Sequence, residues 1–180
     1  KFTDSIKHLG FHLDNMLNLN LQINKLVSSC YLYLRHIRSI RKYITQDNCA
    51  QLIHSFITSR LDYCNSLYIG LPKNLIAKLQ KVQNAAVRVV VNKRKCQSVH
   101  NDLIELHWLN IEKRIVFKAL LIIFRCLNGT APTALSMLLS VKSEDDLSIY
   151  YRKLRENFYM ATKFGHKSFA FYAPRLWNNL

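Results

Sequence analysis

The chain has 180 residues, with 26 Lys and Arg against 11 Asp and Glu, a formal net charge of +15 and a sequence pI near 9.8. At 49% hydrophobic with four Gly and three Pro, it is a folding sequence, not a disordered one, and its length suits one domain or two small ones. The longest unbroken apolar run, Ala119 to Phe124, is far too short for a membrane span, and the opening Lys-Phe-Thr-Asp-Ser-Ile-Lys lacks the apolar core of a secretory leader.

Ile6 to Asp14 reads Ile-Lys-His-Leu-Gly-Phe-His-Leu-Asp, without a helical period and with Gly10 in its middle. It predicts a short strand or hairpin. From about Leu19 to Lys42 the period changes. Ile23, Leu26, Val27, Cys30, Leu34 and Ile37 make the apolar stripe of an amphipathic helix. Arg35, Arg38 and Lys42 fall on one flank of it. Thr45 is the expected N-cap of a helix opening at Gln46-Asp47, with Leu52, Ile53, Phe56 and Ile57 as its buried face. Ser59-Arg60-Leu61-Asp62 resembles a capping box, so a second short helix is expected to start there and to stop at Gly70-Leu71-Pro72. Lys73 to Val91 is the clearest helix, its seam formed by Leu75, Leu79, Val82, Ala86 and Val89. Lys78, Lys81 and Arg88 lie off that seam, and the helix leads into Lys93-Arg94-Lys95.

A short helix is expected over Asn101 to Leu109. Asn110 caps the next one, with Ile111, Ile115, Ala119, Leu120, Ile123, Phe124 and Leu127 inward and Asn128-Gly129 as its stop. Pro132 opens a short helix through Leu139. Lys142 to Tyr151 reads as a polar loop, and the tail from Phe158 to Leu180 is rich in aromatics without a clear period. The expected fold is mainly α, with a small β element at the start and a candidate second one near Phe158.

The charge is uneven. Between Lys25 and Lys95 stand thirteen Lys and Arg against two acids, Asp47 and Asp62. Surfaces built for solubility mix both signs, so this bias points to a polyanion and first to nucleic acid. The candidate phosphate contacts are Arg35, Arg38, Arg41, Lys42, Lys78, Lys81, Arg88, Lys93, Arg94 and Lys95. Tyr33 and Tyr43 share the basic helix and are expected on its surface, whereas Tyr31, close to the core stripe, is expected to pack inside. Nothing resembles base-specific readout, so binding through shape and backbone is expected.

Enzyme chemistry finds little footing. Five Cys without short-range pairing favour reduced thiols over a disulfide scaffold. Cys96, His100 and His107 form the only close Cys/His grouping. They lack the paired Cys spacing of a zinc site, so no metal is expected. His8 and His12 share one face of a strand and are expected to be structural. Cys30 and Cys64 sit at core spacing, where thiols are inert. There is no G-x-S-x-G and no glycine-rich phosphate loop. Asp145-Asp146 lies in a polar loop, not in the turn between apolar strands that a polymerase aspartate pair occupies.

Seven ordered segments carry a resemblance: Lys7–Asp14, Ser55–Ser66, Gly70–Pro72, Leu79–Arg88, Leu106–Leu109, Leu127–Pro132 and Ser168–Leu180. Together they resemble the C-terminal region of the reverse transcriptase of non-LTR (LINE-type, jockey-like) retrotransposons, in the right order and over essentially the whole chain. The resemblance implies residues 1–15 as the end of the palm and its primer-grip strand. Residues 16–127 would be a helical thumb, and 128–180 a C-terminal extension. The implied fold is a mainly α, thumb-type helical bundle with a small N-terminal β element. The family's Phe/Tyr-x-Asp-Asp box, where the parent polymerase binds Mg2+, would lie upstream of Lys1. The opening Lys and the final Leu-Trp-Asn-Asn-Leu both read as internal to a longer product.

This chain alone is therefore expected to be no enzyme, to carry no catalytic residue, cofactor or metal, and to avoid membranes. Its implied partners are RNA, an RNA–DNA heteroduplex or DNA backbone, and the palm of the same polyprotein. Its implied place is intracellular, in nucleus and cytoplasm. The alternative is a stand-alone or co-opted helical remnant that binds RNA or protein without polymerase activity.

Overall fold

The computed structural model describes residues 5–140, 153–156, 165 and 168–180. The fold is mainly α, with a two-stranded sheet near the N-terminus. Strands β1 (Ser5–His8) and β2 (Phe11–Asp14) pair antiparallel, from Ser5 opposite Asp14 to His8 opposite Phe11. Leu9 and Gly10 make the two-residue turn, both with positive φ (46° and 83°), as the twist of a tight hairpin requires. Phe11 is buried, and the backbone N–H of His12 donates to Gln22 Oε1 at 3.0 Å. The Asp14 carboxylate accepts from the N–H groups of Met16, Asn18 and Leu19, which turns the chain into the first helix.

Helix α1 (Asn20–Ile40) buries Ile23, Leu26, Cys30, Leu34 and Ile37, the stripe read from the sequence, with Val27 at its half-buried edge. A 3-10 turn (Arg41–Tyr43) follows. Thr45 caps α2 (Gln46–Ile53), its hydroxyl accepting from Asn48 N–H at 3.3 Å. Beyond this point the expectations hold in part. A short helix does begin at Ser59, but without a side-chain cap. The chain stays helical through a π turn (His54–Thr58) into α3 (Ser59–Asp62), and the Ser59 hydroxyl donates back to the Ser55 carbonyl at 2.5 Å. Phe56, expected inside, is 42% exposed. The buried residues here are Cys49, Ile53, Ile57 and Leu61, each four apart. On an ideal α-helix, steps of four drift around the axis. The wider π turn absorbs that drift and swings Phe56 outward. The segment also stops earlier than Gly70, because Tyr63 is extended and Cys64 is left-handed (φ 53°).

Helix α4 (Lys73–Val90) buries its whole predicted seam. It stops short of the basic triplet, since Asn92 takes a positive φ of 54°. Then come α5 (His100–Glu105) and α6 (Ile111–Leu127), the latter capped by Asn110 Oδ1 accepting from Lys113 N–H at 2.9 Å. At the far end of α6, Thr130 N–H donates to the Arg125 carbonyl and Gly129 N–H to that of Cys126. With Gly129 at φ 69°, this is a Schellman stop. Helix α7 (Thr133–Ser136) follows Pro132 and is shorter than expected. Helix α8 (Phe169–Asn178) lies in the aromatic tail, where Pro174 inside it obscures the helical period of the sequence. The loop over 142–151, the Asp145-Asp146 pair and the suspected β element near Phe158 lie outside the described residues.

The chain forms two compact units. Of the described residues, the first takes those up to Asn65 and Leu71–Arg114; the second takes Ser66–Gly70 and those from Ile115 on. The division falls inside α6, and the hairpin belongs with the first unit. Within that unit, Arg114 at the start of α6 pairs with the Asp62 carboxylate, Nε reaching Oδ1 at 2.9 Å and Nη2 holding Oδ2. Gln83 donates to the Leu109 carbonyl at 2.7 Å, and Ile111 N–H to Gln80 Oε1 at 2.9 Å. In the second unit Ile123, Leu154, Ala173 and Trp177 form the core. The Asn178 amide there both accepts from and donates to the backbone of Leu154, at 2.9 and 3.0 Å.

Candidate nucleic-acid interface

Helices α1 and α4 of the first unit lie side by side and run in the same direction. Near their N-terminal ends, Lys78 Nζ donates to Asn24 Oδ1 at 2.9 Å. At their C-terminal ends, Arg41 reaches the carbonyls of Val89 and Val90 at 2.9 and 2.8 Å. Two helix C-termini thus meet, each with the partial negative charge of its free carbonyls. Cations gather there: Arg38 in the last turn of α1 with Arg41 and Lys42 just beyond it, and Arg88 in the last turn of α4 with Lys93 just beyond it.

Between the helices runs a groove of about 880 Å³, with Arg35 and Arg38 on one wall, Lys81 and Arg88 on the other, and Lys95 at its edge. Among the described residues, no carboxylate lines it. Leu34, Asn84 and Ala85 form its floor and sides. An adjoining groove of about 420 Å³ shares Arg38 and Arg88 and adds Arg41, Lys42 and Lys93. Eight of the ten cations singled out in the sequence therefore converge on one continuous face. Lys78 and Arg94 do not line it. Lys78 holds Asn24, and the Arg94 backbone N–H donates to Gln97 Oε1 at 2.7 Å.

The eight are not alike. Arg35, Arg38 and Lys81 are exposed. Arg41 is half-buried, and each of its three nitrogens donates to a backbone carbonyl, those of Val89, Ile44 and Val90. It closes the C-terminus of α4, a use that helical spacing gives no sign of. Lys93 holds both oxygens of the buried Asp102 at 2.7 Å. Arg88 grips the Gln97 carbonyl through Nε and Nη2 at 3.1 and 3.0 Å. Together these two pin the loop from Asn92 to Val99 and set the position of Lys95. Lys42 lies 4.7 Å above the ring of Tyr43, which is 76% exposed as expected.

The other two tyrosines exchange their expected places. Tyr31 is 44% exposed and lines the groove. Tyr33 is half-buried, its ring stacked on Phe56 at 5.4 Å with Arg60 4.6 Å above it. The outward turn of Phe56 at the π segment supplies the surface on which Tyr33 packs.

Among the described residues, no three His, Cys, Asp or Glu side chains come together as a metal site. None of the described helices is long and apolar enough to cross a membrane. Burial pushes the Cys30 thiol up to about 11, with Arg60 opposing, and raises those of Cys49 and Cys126. Compared with family models, curated proteins and solved structures, the chain matches none.

Proposed function

We propose that this chain is the thumb and C-terminal extension of a LINE-type reverse transcriptase, and that its α1–α4 groove grips the template–primer duplex. The supporting observation is the groove itself, where Arg35, Arg38, Lys81, Arg88 and Lys95 face one channel with no carboxylate among the described residues that line it. Such a surface neutralises phosphates by position and charge and reads no sequence. Tyr31 adds a ring that can pack against a sugar. Polymer synthesis belongs to the palm of the same polyprotein, so this chain contributes retention on the duplex and no chemical step. Its partners are then that palm and an RNA–DNA heteroduplex, in the cytoplasm and nucleus where such an element copies itself.

The test is binding of a labelled heteroduplex across a salt series. Reversal of Arg35, Arg38 and Lys81 to Glu should weaken binding at least tenfold and reduce the salt slope by about one unit per cation. Unchanged affinity and slope would remove the groove from the reading. An in-frame Phe/Tyr-x-Asp-Asp box upstream of Lys1 in the transcript would tie the chain to its polymerase. A start codon near Lys1 without such a box would leave a separate binding protein.

A further inference from the structure

A second groove, of about 580 Å³, lies between the hairpin, α1 and the segment from Ser55 to Tyr63. It takes Gln22, Lys25, Leu26 and Ser29 from α1, whereas the α1–α4 groove takes Tyr31, Leu34, Arg35 and Arg38. At 3.6 residues per turn these two sets are centred on opposite faces of the helix. The second groove is thus a separate surface of the first unit.

Its lining differs in kind. Lys7, Lys25 and Arg60 supply three cations from three elements, again with no carboxylate among the described residues that line it. Asp14, the acid at the end of β2, is occupied by three backbone N–H groups. His12 adds no charge at neutral pH. Its Nε2 accepts from Lys25 Nζ at 3.3 Å, and burial, Lys25 and then Lys7 hold its pKa below the ordinary value. Two rings also face the groove: Phe56, 42% exposed, and Tyr63, 46% exposed and fixed by its hydroxyl donating to the Leu9 carbonyl at 2.5 Å. Phe56 is held flat by its stack on Tyr33. Ser55 and Ser59 donate their hydroxyl hydrogens to helix carbonyls, so they offer the groove only acceptor lone pairs.

Cations beside fixed rings suit a chain whose charges and flat faces alternate. A duplex hides its base faces in the stack and cannot use the rings, whereas an unpaired strand can. We propose that this groove holds a single strand of nucleic acid, with phosphates on Lys7, Lys25 and Arg60 and an unpaired base against Phe56. Acceptor lone pairs at Ser55 and Ser59 meet base amino groups or ribose hydroxyls.

The experiment uses the full chain and two labelled probes, a heteroduplex and a mixed-sequence single strand of about ten nucleotides, the latter as both RNA and DNA. Lys7→Glu with Lys25→Glu alters two exposed side chains. It should weaken the single strand about tenfold and the heteroduplex less than twofold. Phe56→Ala should weaken the strand by a similar factor through lost stacking. Ser55→Ala with Ser59→Ala should weaken the strand; a greater loss with RNA than with DNA would place the ribose hydroxyl at the serines, an equal loss would place the bases there, and either supports the site. Three outcomes would overturn it. One is strand affinity that follows Arg35→Glu with Arg38→Glu and ignores the Lys7/Lys25 pair. Another is equal loss on both probes. The third is displacement of the strand by an oligoglutamate of matching charge as readily as by unlabelled strand. Failure of the heteroduplex alone to bind would count against the α1–α4 reading and leave this one standing.

Discussion

Arg41 and Val89 stand 48 residues apart in the chain, and the guanidinium Nε of one donates to the carbonyl of the other at 2.9 Å. With Val90 and Ile44 also held, Arg41 joins the end of α1 to the end of α4. Lys cannot reproduce this fork, since its three donors share one nitrogen and cannot span carbonyls as far apart as those the guanidinium bridges. Arg41→Lys should therefore lower stability in urea by about 1–2 kcal/mol, and Arg41→Ala by somewhat more. Heteroduplex affinity of the folded variant should fall less than for Arg38→Ala. A larger binding loss at Arg41 than at Arg38 would mean that Arg41 contacts phosphate directly.

The Lys93–Asp102 pair predicts an asymmetry. The Asp102 side chain is 8% exposed and that of Lys93 36%. Removing the lysine strands a buried carboxylate, whereas removing the acid leaves an ammonium that can turn to water. Lys93→Ala should cost about 2–3 kcal/mol and Asp102→Ala distinctly less. Paired urea melts decide it, and equal costs would show that the lysine is as dependent on the pair as the aspartate.

Cys30 predicts a loss of stability in alkali. Its thiol titrates near 11 when folded against an ordinary 9.0, so the unfolded chain gives up its proton first. The contribution is fully present below about pH 9 and falls by roughly 1.4 kcal/mol per unit as pH rises toward 11. Cys30→Ala lacks this term, although it starts from lower stability because of the cavity. The gap between wild type and variant should therefore narrow from pH 9 upward. A constant gap would show that the thiol is not protected from ionisation.

Thr45 offers a smaller, local check. Its hydroxyl accepts from Asn48 N–H at the start of α2. Thr45→Ala should cost about 1 kcal/mol in thermal or urea unfolding, without change in the heteroduplex salt slope.

Much of this was legible in the chain, because α1 and α4 bury regular stripes. Ile23 to Ile37 and Leu75 to Val89 each follow one helical period, and the cations beside them had to project along common flanks. What periodicity cannot carry is a change of period. The π turn moved Phe56 out, and with it the packing of Tyr33; Pro174 concealed α8. Nor does spacing along one helix report a partner across the fold. Arg38 and Arg41 look alike in sequence, yet one faces the groove and the other closes a helix 48 residues away. The second groove was invisible for the same reason, since Lys7, Lys25 and Arg60 meet only after the hairpin has folded against α1.

The backbone corners carry a last implication. Leu9, Leu17, Leu19, Cys64, Asn92 and His107 all adopt positive φ in a chain with only four glycines. An L-residue in that region costs roughly 1–2 kcal/mol, and a β-carbon is what makes it costly. The protein's reserve of unused stability is thus at its bends and not in its core. Leu9, 79% exposed beside Gly10, is the plainest place to draw on it. Leu9→Asn keeps the hairpin turn and relieves the strain, and should raise the melting temperature by a few degrees. A sequence drifting toward thermal tolerance would be expected to change these corners first.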